Sequence, residues 1–172
     1  MTRPPIELMN VVTSPEPELV FAVVAPVGTN FEPVESLFRD RMRLCAYEFE
    51  IIKLSRLAEG LNHPHLHAPV DVDTEGRRIA SLMTLGNVLR RTAGRGDVLA
   101  LSAINAIAKS RKDAGRPGQP HPRRVTLLNS LKHPGEVEAL RRVYGPGFFL
   151  VGVNSTIDER MKFLMSRRGI EE

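Results

Sequence analysis

The chain has 172 residues, 24 Lys and Arg against 20 Asp and Glu for a formal charge of +4, one cysteine and no tryptophan. That length suits one domain hiding roughly two thirds of its unfolded surface, and the lone cysteine excludes a disulfide framework or a cysteine-rich zinc centre. The longest apolar runs, residues 19–27 and 148–153, fall well short of the roughly 20 residues that cross a bilayer. The start, Met1-Thr2-Arg3-Pro4-Pro5, leads into no secretory core. No membrane partner and a cytoplasmic location are therefore expected.

Residues 1–18 carry four prolines and little periodicity and are expected to form an extended arm, with the ordered domain spanning 19–172. The run from Leu19 through Val24 is continuously apolar, as in a parallel strand covered on both faces. After the loop Ala25-Pro26-Val27-Gly28-Thr29-Asn30, the residues Val34, Leu37, Phe38, Met42 and Cys45 recur at helical spacing, so Cys45 is expected to be a small buried hydrophobe. Phe49, Ile51, Ile52 and Leu54 supply a second strand, completing a βαβ unit.

A helical insertion is expected at about residues 60–115. It opens on an irregular stretch containing His63, His65 and His67, whose alternate spacing on a proline-bearing loop without cysteine or organised carboxylates does not make a metal site. Helices follow over 76–92 and 97–111. Asp97 is the expected N-cap of the second, and Val98, Leu101, Ile104 and Ala108 its buried stripe. The basic segment 111–124 reads as a solvated loop, and no aromatic rings interleave the arginine clusters, so nucleic acid is an unfavoured partner.

The last third alternates again. Val125-Thr126-Leu127-Leu128-Asn129 is a third strand, Pro134 opens a helix that ends before Gly145, and residues 148–153 form a fourth strand. Ser155-Thr156-Ile157-Asp158 has capping-box spacing at the head of a final helix, with Ile157, Met161, Leu164 and Met165 on its apolar stripe. Four strands separated by helices predict an α/β fold: a three-layer, open, mainly parallel sheet with helices on both faces and a ligand crevice at the carboxyl ends of the strands.

The first strand, glycine loop and helix have the outline of a phosphate-binding P-loop. In the functional motif a Lys reaches the terminal phosphates and a Ser or Thr hydroxyl holds magnesium. Here Phe31 and Glu32 occupy those places. Backbone N–H groups at Val27, Gly28, Thr29 and Asn30 would still favour an anion at the head of the first helix, although Glu32 competes for that helix end. Thr29 could replace the hydroxyl, and Lys132 the cation.

The order of elements resembles P-loop kinases of the nucleoside-monophosphate type. More closely, the chain resembles the amino-terminal P-loop-like domain of bacterial anti-phage dCTP/dCMP deaminases. The likeness rests on Val24-Ala25-Pro26-Val27-Gly28-Thr29-Asn30, on Leu85-Gly86-Asn87-Val88-Leu89-Arg90, on the helix reaching Ile107 and Arg111, and above all on residues 128–145, with 148–153 completing the block.

In kinases of this type an Asp commonly ends the third strand. Asn129 stands there instead and cannot lend magnesium a negative charge. In the deaminase family a zinc domain with His-x-Glu and Pro-Cys-x-x-Cys follows; neither half of that signature occurs here, so this chain alone cannot be the deaminase. The resemblance implies a nucleotide-binding regulatory domain in antiviral defence that partners a cytidine deaminase domain or protein, with homo-oligomers left open.

The candidate nucleotide-binding residues are Val27, Gly28, Thr29, Asn30, Asn87, Arg90, Asn129, Lys132 and Arg160. Arginines suit phosphate because the planar fork donates two hydrogen bonds at once, and Arg160 lies where kinases place lid arginines. No residue is assigned a catalytic or metal-binding role, and neither magnesium nor another cofactor is called for. An active small-molecule kinase and a non-catalytic protein-interaction module are the alternatives.

Overall fold

The fold was analysed in a computed structural model that describes residues 16–61, 70–71 and 75–168. Most of the expected N-terminal arm and the His63, His65 and His67 stretch lie outside the described residues. Four apolar runs, β1 (Leu19–Val24), β2 (Glu48–Lys53), β3 (Arg124–Asn129) and β4 (Phe148–Gly152), form one all-parallel sheet in the order β2-β3-β1-β4. The two central strands are the most buried, because both of their faces are covered. Val20, Ala22 and Val23 of β1 and Val125, Leu127 and Leu128 of β3 have no solvent exposure.

Helices fill the connections: α1 (Glu32–Leu44), α2 (Leu54–Leu61), α3 (Glu75–Ala93), α4 (Val98–Asp113), α5 (Pro134–Tyr144) and α6 (Ile157–Arg168). On one face of the sheet α1 sets Phe38 edge-on to Phe21, with ring centroids 5.1 Å apart. On the other, Ala100, Ala103 and Ile107 of α4 and Ala139 and Leu140 of α5 pack with Val20, Ala22 and Leu128. A smaller cluster, Ala58, Leu85, Leu89 and Leu99, ties α2, α3 and α4 together. This is the three-layer parallel α/β architecture expected from the sequence.

Several local expectations are corrected. Leu54 does not end β2 but begins α2, so the helical region starts earlier than residue 60; Leu54 and Ala58, one turn apart, are both buried. On α4 the buried positions are Leu99, Ala100, Ala103 and Ile107, whereas Leu101 and Ala108 are exposed. Ala100, Ala103 and Ile107 pack on the sheet and α5, and Leu99 packs on α2 and α3. Helix α1 has no fully buried residue, and Cys45 is exposed because it caps that helix where the chain turns toward β2.

The caps shift as well. Asp97 makes no side-chain cap; Arg95 holds its carboxylate at 2.6 and 2.9 Å and keeps its pKa below the ordinary value. At α6 the box is Thr156 with Glu159: the Thr156 amide donates to Glu159 Oε2 at 2.8 Å, and the Glu159 amide donates to Thr156 Oγ1 at 3.2 Å.

The basic segment is exposed over residues 112–119, as a solvated loop would be, but its two ends are stapled to the fold. Arg111 pairs with buried Glu18, Arg123 Nε donates to Glu16 at 2.7 Å, and Arg124 bridges Glu48 at 2.8 Å and Ser110 at 2.5 Å. These bonds fasten the residues just before β1 onto the sheet and α4. Burial pushes the Tyr144 hydroxyl pKa up, against the opposing charge of Arg111.

On β3, Thr126 is fully buried and its hydroxyl has no hydrogen-bond partner among the described residues. An unsatisfied buried hydroxyl costs roughly 1–3 kcal/mol. The near-isosteric Thr126→Val should therefore stabilise the chain by about 1 kcal/mol, read as a higher urea midpoint at unchanged slope; a lower midpoint would show that the hydroxyl is bonded in solution.

Candidate functional site

Parallel register aligns the carboxyl ends of three strands. Val23 and Lys53 both pair with Asn129, so the chain leaves β1, β2 and β3 along one rim. Helix α3 crosses above it, and the space between is a cleft of about 490 Å³, within the range of small-molecule sites. The crevice expected at the strand ends is present.

Most of the candidate residues meet there. Val27, Gly28, Thr29, Asn87, Arg90, Asn129 and Lys132 line the cleft, while Asn30 and Arg160 do not. The sequence reading missed Lys53, Ser55, Arg78 and Ser130, which also line it. Lys53 was readable as the last residue of a strand whose carboxyl end faces a crevice; Arg78 was not, because its approach depends on how α3 folds back.

The glycine loop is engaged by the protein itself. Gly28 adopts φ +85°, which glycine alone tolerates easily. A Cβ there would lie 2.8 Å from Leu164 Cδ1 and 3.0 Å from the Arg160 carbonyl oxygen, so α6 is packed directly on the loop. Arg160 Nη1 donates to the Val27 carbonyl at 3.2 Å, Ser155 donates to Thr29 Oγ1 at 3.3 Å, and Asn30 Oδ1 accepts the Glu32 amide at 3.2 Å. Glu32 and Glu35 occupy the first turn of α1, placing negative charge where a phosphate would sit.

The opposite wall is organised by a buried carboxylate. His133 and Glu136 form a capping box at the head of α5: Gly135 N–H donates to His133 Nδ1 at 3.0 Å, and Glu136 Oε2 accepts the amides of Lys132 at 2.8 Å and His133 at 3.1 Å. Glu136 Oε1 accepts from Arg90 Nη2 at 2.6 Å, and the side chains are 0% and 13% exposed. Arg90 is thus committed to Glu136 rather than free for a ligand, with Asn87 Oδ1 at 3.5 Å from its Nη1.

Two polar residues on the rim face different partners. Asn129 Nδ2 donates to Glu35 at 3.0 Å. Lys132 is exposed along its chain, but its ammonium donates to the Ala25 carbonyl at 3.1 Å; desolvation lowers its pKa, with the charge of Glu136 opposing.

Among the described residues no Asp or Glu lines the cleft, whereas Lys53, Arg78, Arg90 and Lys132 do. The far wall is apolar, with Ala58, Ile79, Leu82 and Met83. Such a cleft can take an anion attached to an apolar or planar body. Among the described residues no group of three or more His, Cys, Asp or Glu side chains could hold a metal ion, and no helix is long and apolar enough to cross a membrane. No protein-family model matches the chain, and no curated protein matches it in sequence.

Two outcomes follow from this geometry. Glu136→Gln strands Arg90 without its charge partner and should cost about 3–5 kcal/mol in unfolding free energy, as for other broken buried pairs; a loss below about 1 kcal/mol in denaturant titrations would refute the bridge. Gly28→Val forces a branched side chain into a left-handed position and onto Leu164, and should cost roughly 1–3 kcal/mol, measured the same way.

Proposed function

We propose that this chain is a non-catalytic, nucleotide-binding regulatory domain that acts with a deoxycytidine-nucleotide deaminase in antiviral defence. The observation that carries the binding half is the cleft at the strand ends, lined among the described residues by four cationic side chains and no carboxylate and backed by an apolar wall. A nucleotide has matching parts: an anionic phosphate end and a planar base that tolerates an apolar surface. The deaminase half rests on the resemblance carried by residues 128–145 and 148–153.

The absence of turnover follows from the residues at the loop. Phosphoryl transfer is positioning plus electrostatic stabilisation around phosphates and magnesium. Phe31 and Glu32 stand where the motif needs a lysine and a hydroxyl, Asn129 supplies no charge, and Thr29 is already bonded to Ser155. Binding without transfer is the activity these groups can sustain.

Calorimetry against a panel of nucleoside mono- and triphosphates, with and without magnesium, tests the reading. Saturable binding that survives EDTA, with no transfer of a labelled γ-phosphate, is expected. Magnesium-dependent transfer would establish a kinase instead, and a flat titration across the panel would leave a protein-interaction module.

A further inference from the structure

We infer that the anion-binding centre of this cleft is not the glycine loop but a lysine pair, Lys53 and Lys132, set across the β2–β3 edge, and that it takes a phosphate monoester without magnesium. The inference rests on the nucleotide reading above and locates the phosphate within it.

The loop is disfavoured by what already touches it. Helix α6 lies against Gly28, leaving no room for a phosphate on that side, and its Arg160 is turned onto the Val27 carbonyl. Asn30 caps the Glu32 amide, one of the donors a phosphate would need, and Glu32 and Glu35 repel an anion from the same helix end. On that side the Thr29 amide is also taken, by the Pro26 carbonyl, so the donors are fewer than in an open loop and the helix end carries two carboxylates.

The lysines are placed otherwise. Lys53 ends β2 in register with Asn129, one strand away, and adjacent strands lie about 4.8 Å apart. Lys132 follows three residues after Asn129 and lines the same cleft. Among the described residues neither lysine forms an ion pair; Lys132 is met by a carbonyl, and the carboxylate beside it, Glu136, is taken up by Arg90 and two amides. Glu35 is held by the Asn129 amide.

Two ammonium groups without carboxylate partners present about the charge of one phosphate dianion. Ser55 and Ser130 lie on the same wall as further donors. With no carboxylate among the described residues lining the cleft, no cation is needed to screen the phosphate from them. The body of the ligand would then run toward Ala58, Ile79, Leu82 and Met83.

The test uses the full chain with deoxycytidine monophosphate, deoxycytidine triphosphate, inorganic phosphate and unphosphorylated deoxycytidine as probes, in EDTA. Lys53→Met and Lys132→Met should each weaken binding of the monophosphate at least tenfold, while Arg160→Met stays within about twofold. Inorganic phosphate should compete, and deoxycytidine should bind poorly.

Amine acetylation of the wild-type chain, read by mass spectrometry, gives an answer independent of variant folding. The monophosphate should protect Lys53 and Lys132 at least fivefold, with Lys109, Lys112 and Lys162 unprotected. Nucleotide binding that ignores both lysines and is lost in Arg160→Met would overturn the lysine site while leaving the nucleotide reading intact. A wild-type chain that binds none of the phosphorylated probes would end both.

Discussion

The carboxylate of Glu136 is the point on which the site side of this molecule is assembled. Fully buried, it accepts two backbone amides from the loop after β3 and the guanidinium of Arg90 from α3. A lone buried carboxylate would be strongly unfavourable; three donors sharing its charge make burial tolerable. The consequence is geometric. One residue on α5 fixes both the loop that carries Lys132 and the helix that roofs the cleft, so floor and roof cannot move independently.

That arrangement explains why the cleft and the glycine loop have different characters. The loop side is closed by the protein's own hydrogen bonds, from Arg160, Ser155 and Asn30, and by the contact of Leu164 with Gly28. On the Glu136 side the carboxylate is consumed internally, so the positive charges of Lys53 and Lys132 are left facing the cavity. The outline of strand, glycine loop and helix is present, but the lysines that line the cleft lie on the β2–β3 side. A second set of ion pairs, Glu16 to Arg123, Glu18 to Arg111 and Glu48 to Arg124, holds the opposite end of the sheet together, and most of the arginines of residues 111–124 serve the fold.

Much was legible before any coordinates. The four strands follow from continuous apolar runs with turn formers between them, and alternation with helices dictated a parallel sheet and a crevice at its carboxyl ends. Seven of the nine candidate residues line that crevice, because strand ends and the loops after them are fixed by connectivity. Helix faces were harder to read. On α4, Leu101 and Ala108 fit the periodicity as well as Leu99 and Ala103 do, and only packing between the sheet and α3 chose the latter pair. Leu54 was ambiguous for the same reason: an apolar residue at a strand end is equally the first buried residue of a helix.

The sequence by itself determined the parallel α/β architecture and the departures of Phe31, Glu32 and Asn129 from the P-loop pattern, since those are identities that no folding can alter. It also offered Arg90, Lys132 and Arg160 as candidate cations. Tertiary structure alone decided which of them are available, because the partner of a charge is set by contacts far along the chain: Glu136, 46 residues after Arg90, claims its guanidinium, and Val27, 133 residues before Arg160, claims that one. Periodicity reports which face of an element is buried, but a free charge is defined by what folds beside it.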